Sequence, residues 1–284
     1  VLESPVLSNA QFEKFIEFFR KDIKILDCTF DFLESLKEGL DKITLEAEIA
    51  VREGKKHLIL TDTKVSEKRI QIPLILAIGS INSRLTNLGI RGFASINVQT
   101  SEVLDTHSFA VLLGVGATTI NPYIAFDSIF QRYEKKLFGK LSFEECVRKY
   151  IKSIDNGLLK IMSKMGISVL SAYRGGCNFE SVGLSRALVA KYFPGMVSRI
   201  SGIGIFGIQK KIKKLHERAF QKNITILPIG GIYKYRKNGE THQYQGHLIH
   251  MLQNAVSTNS YEMYKKYAKG IYDMPVINLR DLLD

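Results

Sequence analysis

The chain has 284 residues, 45% of them hydrophobic, and a formal net charge of +12. This length and composition allow one large domain, or one domain with appendages, to bury a sizeable core. No apolar run approaches the ~20 residues that a membrane-spanning helix needs. The N-terminus has neither the basic nor the apolar region of a signal peptide. We therefore expect no membrane segment, and the missing initiator Met suggests a piece of a longer chain.

The three cysteines, Cys28, Cys146 and Cys177, are scattered along the chain. An odd number without regular spacing argues against a disulfide framework and for a reducing, cytoplasmic setting. Because no C-x2-C spacing is present, we predict no metal or cluster site.

The positive charge is spread along the chain in pairs such as Lys55-Lys56 and Lys210-Lys211. No RNA-recognition, KH or helix-turn-helix pattern accompanies these pairs. We therefore predict no nucleic-acid partner. An acidic partner surface, or a generally lysine-rich proteome, explains the charge more simply.

An N-terminal arm, residues 1–22, carries a helix that Ser8 and Asn9 can cap. Alternating strands and helices follow it. The strands are predicted at residues 23–28, 57–60, 92–98 and 117–120, and the helices at residues 31–53, 73–89, 105–114 and 142–165. Spacings of roughly 30 residues between strands indicate repeated βα units and a parallel sheet.

Residues 158–183 form the stretch on which the interpretation most depends. A helix with one apolar face ends at Gly166, and residues 167–171 predict a fifth, buried strand. Tyr173-Arg174-Gly175-Gly176 would then form the loop at the carboxyl end of that strand, and a second short helix would begin near Asn178. In α/β folds such loops usually carry function.

These five predicted strands fall short of the eight βα units of a closed barrel. We therefore predict an α/β fold: an incomplete (β/α) barrel-like parallel sheet flanked by helices, with a C-terminal hairpin and helical extension. The hairpin is placed at residues 226–245, where Asn238-Gly239 is a turn signal. The predicted division is the arm (1–22), a βα-repeat core (23–200), a C-terminal helix and hairpin extension (201–273) and a linker (274–284).

Two stretches could bind an anion. Arg174, beside two glycines, offers a fork of donors to a phosphate or carboxylate, and the alternative is a structural arginine in a tight turn. Ser201-Gly202-Ile203-Gly204 resembles a phosphate-binding loop only weakly, because it follows no clear strand. A flexible turn is favoured there.

Other candidate side chains lack partners. His107 at a helix start could be a base, although a packed or capping role is favoured. His247 and His250 lie one helical turn apart without a Cys or carboxylate at ligand spacing. Asp62 follows the second strand and Cys177 follows the glycines, but the sequence ties neither to a catalytic partner. No complete catalytic set emerges from the residues alone.

Several long motifs resemble the central domain of the glutamate synthase large subunit. They are ESPVLSNAQF (3–12), IPLILAIG (72–79), HSFAVLLGVGATTINPYIAF (107–126), GLLKIMSKMGIS (157–168), the glycine-containing run at 171–184, and RDLLD (280–284). The resemblance covers essentially the whole chain. It departs from the family at residues 81–84, where histidines are common, and at residues 176–178, where Ala-Gln-Ile is usual.

The resemblance implies a large flavin and iron–sulfur enzyme that makes L-glutamate from L-glutamine and 2-oxoglutarate. An amidotransferase domain releases ammonia, which passes through an internal tunnel to a flavin domain. FMN and a 3Fe-4S cluster would belong to the parent enzyme, with no cofactor in this segment, which would be catalytically silent alone. The implied partners are those two domains and a small reductase subunit or ferredoxin, and residues 274–284 would lead into the flavin domain.

We expect the predicted loop to face a neighbouring domain or the tunnel. Its candidate residues are Ser171, Tyr173, Arg174, Gly175, Gly176, Cys177 and Glu180. Glycines let the main chain itself line a wall, and a wall without acids and bases keeps ammonia neutral. The alternative function is a free-standing barrel-like enzyme that binds a phosphorylated or carboxylate ligand through Arg174 and residues 201–204.

Overall fold

The computed structural model describes residues 2–221, 229–231 and 235–283, with only the backbone of Arg280. The chain divides into two compact units, Val1–Phe220 and Gln221–Asp284. The helices of the first unit are α1 (Asn9–Phe18), α2 (Leu36–Arg52), α3 (Leu74–Asn87), α4 (Thr106–Gly114), α5 (Tyr123–Glu134), α6 (Phe143–Lys164), α7 (Leu170–Tyr173), α8 (Arg186–Tyr192) and α9 (Ile205–Ala219). Its strands are β1 (Ile23–Asp27), β2 (Thr29–Asp31), β3 (His57–Thr61), β4 (Arg69–Gln71), β5 (Ser95–Gln99), β6 (Thr119–Asn121), β7 (Glu180–Leu184) and β8 (Val197–Ile203).

The main sheet has four parallel strands in the order β1-β3-β5-β6. Strands that are adjacent in this sheet also follow one another along the chain, apart from the short β2 and β4, as repeated βα units require. The N-terminal arm continues this sheet, because Val6 forms a parallel bridge to Ile120. The prediction of an α/β fold with a parallel sheet flanked by helices is confirmed.

One row of apolar side chains crosses the sheet and anchors the core. Leu26, Leu60, Val98 and Ile120 are partners in register, and each is completely buried. Apolar residues of α2, α3 and α4 join them in a single cluster. The opposite face is covered at Ile59 by Phe12 of α1, so helices lie on both sides of the sheet.

The start of α2 differs from the prediction of a helix over residues 31–53. Residues Thr29–Asp31 form a strand that pairs antiparallel with Arg69–Gln71. The helix begins after Ser35, whose side chain caps the amide of Glu38 while Glu38 caps the amide of Ser35. Such a capping box fixes a helix start more firmly than apolar spacing does.

The predicted fifth strand at residues 167–171 is wrong. After Gly166 the chain instead forms the single helical turn α7, which buries Tyr173 to 1% exposure. A short apolar run without flanking partners is ambiguous between helix and strand. Here the spacing of Leu170 and Tyr173 matches a helical turn, and the segment forms a helical turn rather than a strand.

The second short helix expected near Asn178 is also wrong. Strand β7 follows there and pairs in parallel with β8, in a small sheet of its own. Ser201 to Ile203 belong to β8, and Gly204 precedes α9, so the flexible turn favoured at residues 201–204 is corrected to a strand end. An added Cβ at Gly202 would overlap the Gly183 carbonyl, which explains this glycine by close strand pairing.

The second unit contains α10 (Gly246–Ser257) and α11 (Tyr261–Tyr272) and a short 3-10 helix at Leu279–Leu282. The two α-helices pack together, with Gly270 of α11 leaving room for Leu248 of α10. The predicted hairpin at residues 226–245 lies partly outside the described residues. In its described part the Gly239 amide donates to the Arg236 carbonyl at 2.9 Å. No helix among the described residues is both long and apolar enough to cross a membrane.

His57 at the start of β3 is expected to make stability depend on pH. Its ring meets Phe15 edge-on and Phe19 at a tilt, and its Nδ1 lies 2.7 Å from Ser95 Oγ. Burial lowers the pKa of His57, more than the charge of Asp22 raises it. The folded state therefore disfavours the imidazolium, and stability is lost as pH falls through the unfolded pKa near 6.5.

Urea unfolding of the wild type and of His57→Gln between pH 8 and pH 5 tests this expectation. The variant should lose less unfolding free energy on acidification than the wild type does. His107→Gln, at an exposed histidine of α4, is the matched control and should follow the wild type. Parallel pH curves for His57→Gln and the wild type would contradict the assignment.

Candidate functional site

The predicted loop lies near the amino-terminal side of the main sheet, not at a carboxyl end. The Gly175 amide donates to the Gly114 carbonyl at 2.8 Å, and Arg174 Nη1 donates to Thr118 Oγ1 at 3.0 Å. Both acceptors come after α4 begins and before β6. The expectation of a loop leaving a strand's carboxyl end is therefore wrong, because the loop follows the helical turn α7.

The loop is anchored by aromatic rings. Tyr173 is buried and meets Phe179 edge-on, with ring centroids 6.2 Å apart. Phe179 in turn covers Gly114, where an added Cβ would overlap its ring. Tyr173 is thus a structural anchor beneath the loop. Its burial also raises the pKa of its phenol.

A cavity of about 450 Å³ opens beside the loop. Of the seven candidate residues, Ser171, Arg174, Gly175 and Cys177 line it. Tyr173, Gly176 and Glu180 are outside this lining, and Glu180 instead lies 3.7 Å from Arg199 Nε across the β7–β8 pair. The structure therefore brings four of the seven residues together.

Arg91 is the cavity residue that sequence reasoning missed. It donates from Nε to Asn82 Oδ1 at 2.6 Å, from Nη1 to the Ala94 carbonyl at 2.6 Å and from Nη2 to the Gly116 carbonyl at 2.9 Å. Gly116, at φ +132°, leaves the space that Asn82 occupies. The only sequence signal for Arg91 is its position beside Gly92 after the end of a helix. Nothing in the sequence connects it to Arg174.

The charged side chains in the described lining of the cavity are all positive. Asp and Glu are absent from its described lining, and neither Arg91 nor Arg174 forms an ion pair among the described residues. Burial, and then the positive charge of Arg174, lower the pKa of Arg91. Arg174 Nε is buried and has no hydrogen-bond partner in the described part of the chain.

At the carboxyl edge of the sheet, where α/β enzymes usually work, one oxygen of Asp62 accepts several internal hydrogen bonds, and the other, Oδ1, is buried without one among the described residues. Asp62 is completely buried, and its Oδ2 accepts from Gln71 Nε2 at 2.6 Å, Thr100 Oγ1 at 2.9 Å and the Ser101 amide at 2.8 Å. These bonds tie β3 to β4 and to the segment after β5. Asp62 thus has the partners that the sequence could not identify, and they are structural.

The remaining candidates stay apart. His107 is exposed in the first turn of α4, while Asp105 caps that helix through the amide of Ser108. His247 and His250 are exposed on α10. Within the described ranges, no group of three or more His, Cys, Asp or Glu side chains could hold a metal ion. Cys177 is exposed, whereas Cys28 and Cys146 are buried.

The sheet, its helices and the anchored loop define an α/β domain in which the buried Asp62 is held by hydrogen bonds within the domain. The family model for the glutamate synthase central domain matches residues 1–185. The chain therefore belongs to the glutamate synthase central domain family.

Similarity to glutamate synthases extends beyond the family match. The chain is 50% identical, over its full length, to a glutamate synthase (NADPH) large chain of Azospirillum brasilense, of which it covers 19%. It is 38% identical over 99% of its length to the corresponding protein of Bacillus subtilis, covering 18% of that protein. A ferredoxin-dependent glutamate synthase of Oryza sativa is 35% identical over the whole chain, which covers 18% of it. The chain thus spans about a fifth of the length of these relatives.

Three of the seven residues in the two runs that depart from the family pattern line the cavity. Asn82 and Ser83 line it, and Asn82 accepts the Arg91 bond described above. Arg84 points elsewhere and donates to Glu48 Oε2 at 2.9 Å, joining α3 to α2. Cys177, in the second departing run, adopts φ +51° and also lines the cavity.

Proposed function

We propose that the chain is the connecting domain of a glutamate synthase, which makes L-glutamate from L-glutamine and 2-oxoglutarate. It joins the amidotransferase domain to the flavin domain and contributes to the wall of the ammonia tunnel. The observation that carries this proposal is the similarity to glutamate synthase large chains along the whole chain. In this proposal the segment binds no cofactor itself. FMN and the 3Fe-4S cluster lie elsewhere in the parent enzyme, which also uses a reductase subunit or ferredoxin.

The segment itself is proposed to be catalytically silent. The polar edge of its sheet supports this, because the Asp62 carboxylate is used to hold β3, β4 and the segment after β5 together. A general base must reach a substrate proton, and a completely buried carboxylate with internal donors does not. The unpaired cysteines support the proposed reducing, cytoplasmic setting.

The main sheet is proposed to be part of an incomplete barrel. Its four parallel strands follow one another in chain order, and α2, α3 and α4 share one cluster with the row at Leu60. Right-handed crossovers between successive strands place the connecting helices on one face, as in a (β/α) barrel. We also retain as proposals the division at residues 22, 200 and 273 and the linker role of residues 274–284.

The loop from Ser171 to Glu180 is proposed to face a neighbouring domain. Gly175 supports this, because it is exposed and an added Cβ would meet no atom within 4 Å. A guanidinium in the wall is compatible with ammonia transfer, since arginine keeps its proton and cannot exchange it with ammonia. The channel then holds neutral ammonia away from water, as the later amination requires.

Gly175→Leu in the full-length protein tests this role. The side chain would project into the space in front of the loop, and we expect glutamine hydrolysis per glutamate formed to rise severalfold as ammonia escapes. Replacing a glycine at positive φ costs ~1–2 kcal/mol of backbone strain wherever it lies, so a control with the same strain is needed. Gly139→Leu, at φ +63° with no atom within 4 Å of the added Cβ, provides it.

The comparison of the two variants decides the proposal. Gly139→Leu should keep the wild-type ratio of glutaminase to synthase turnover. If Gly175→Leu also keeps that ratio, the loop does not face the tunnel or an interdomain contact that controls it.

A further inference from the structure

We propose that the cavity beside the loop binds a small oxyanion, a carboxylate or phosphate group, between the guanidinium groups of Arg91 and Arg174. The cavity is the one described above, lined by Arg91, Arg174, Ser83, Thr86, Ser171 and Cys177 among others. This binding site does not depend on the proposed function. It goes beyond it, because a connecting domain needs no ligand of its own.

The first argument is charge. Two guanidinium groups share this cavity without a carboxylate among its described lining residues. Burial is the main cause of the lowered pKa of Arg91, and the positive charge of Arg174 adds to it. An arginine is effectively always protonated, so the two positive charges persist at every physiological pH. A bound anion would relieve this repulsion.

The second argument is the set of donors that remain free. Arg91 uses three of its five N–H donors on Asn82, Ala94 and Gly116, which fixes the plane of its guanidinium. Arg174 is held by Thr118 through Nη1, and its buried Nε lacks a partner in the described part of the chain. A carboxylate or phosphate accepts from arginine with two parallel bonds, and the terminal N–H groups of Arg174 that Thr118 does not use remain for this purpose.

The third argument is shape. A volume of about 450 Å³ lies within the usual range for small-molecule sites. Gly92, where an added Cβ would meet no atom within 4 Å, leaves its backbone open to a ligand, and Phe193 and Met196 supply an apolar wall. The site therefore suits a compact ligand that carries an anionic head on a small body, such as a short dicarboxylate or a phosphate.

Alkylation of Cys177 provides a local readout in the full-length protein. Cys177 is exposed and lines the cavity, whereas Cys28 and Cys146 are buried. The rate of iodoacetamide labelling of the Cys177 peptide is measured by mass spectrometry with inorganic phosphate, with succinate, and with potassium chloride at matched ionic strength. At ten times its Kd, the bound anion should slow labelling about tenfold by mass action.

Substitutions locate the effect. Arg174→Gln should abolish the protection, and Arg174→Lys, which keeps the charge but not the fork, should retain part of it. Arg186→Gln removes an exposed arginine of α8 outside the cavity and should leave protection at the wild-type level. Labelling of the buried Cys28 and Cys146 reports any variant that fails to fold. In that case, the labelling rates of wild-type Cys177 with phosphate or succinate, compared with the rate in chloride, decide whether the site exists.

Each outcome assigns or removes the site. Protection by phosphate alone identifies a phosphate ligand, and protection by succinate alone identifies a carboxylate ligand. Protection by both anions shows that the site recognises the oxyanion chemistry that they share. Protection no greater than that of chloride, or equal protection in folded Arg174→Gln, would overturn the proposal.

Discussion

Asp62→Ala is expected to lower the free energy of unfolding by ~3–5 kcal/mol, because it removes the acceptor shared by donors from Gln71, Thr100 and Ser101. Thr100 is as completely buried as Asp62, so water does not replace the lost acceptor. A typical domain has only ~5–15 kcal/mol of stability in total. The substitution should therefore bring the first unit close to unfolding.

Two variants accompany this measurement by urea denaturation. Asp62→Asn retains one acceptor oxygen and should lose clearly less stability than the alanine variant. Asp127→Ala, at an exposed position of α5, should change the stability by at most ~0.5 kcal/mol. A loss below ~1 kcal/mol in Asp62→Ala would show that the carboxyl edge does not depend on this network.

Gly114→Val is expected to cost ~2–3 kcal/mol and to release the loop. The added side chain would occupy the position of the Phe179 ring, which covers Gly114 and contacts Tyr173. The bond from the Gly175 amide to the Gly114 carbonyl would be strained at the same time. We expect faster cleavage by trypsin after Arg174 and faster alkylation of Cys177.

Gly92→Val is the matched control for this substitution. Gly92 also lines the cavity, but an added Cβ there would meet no atom within 4 Å. It should leave the stability and the loop's sensitivity to trypsin near their wild-type values. Equal behaviour of the two variants would mean that Phe179 does not anchor the loop.

The main sheet could be predicted from the sequence because its strands are buried apolar runs bounded by turn signals. Residues 57–60 and 117–120 illustrate this, since each follows a glycine-terminated helix and is followed by a polar residue. The antiparallel pair Thr29–Asp31 and Arg69–Gln71 escaped prediction, because three-residue strands are too short to show a period. The single turn α7 was mistaken for a strand for the same reason.

The candidate site could be predicted only in part. The glycines and Arg174 marked the loop, but the sequence could not show that Gly175 would bond to Gly114, near the opposite edge of the sheet from the expected one. Arg91 and Arg174 line the same cavity because Arg91 lies just before β5 while Arg174, far along the chain, bonds to Thr118 just before β6. Likewise, the sequence placed Asp62 at the end of β3 but could not supply its partners, which belong to other elements.

The central claim is that this segment connects two reaction centres and transforms nothing itself. Its most direct test is to purify residues 1–284 alone and to measure glutamine hydrolysis, glutamate formation from 2-oxoglutarate and visible absorption, with the full-length protein as positive control. The account predicts a colourless polypeptide without turnover in either assay. Turnover by the segment, or a flavin or iron–sulfur centre bound to it in stoichiometric amount, would contradict the account.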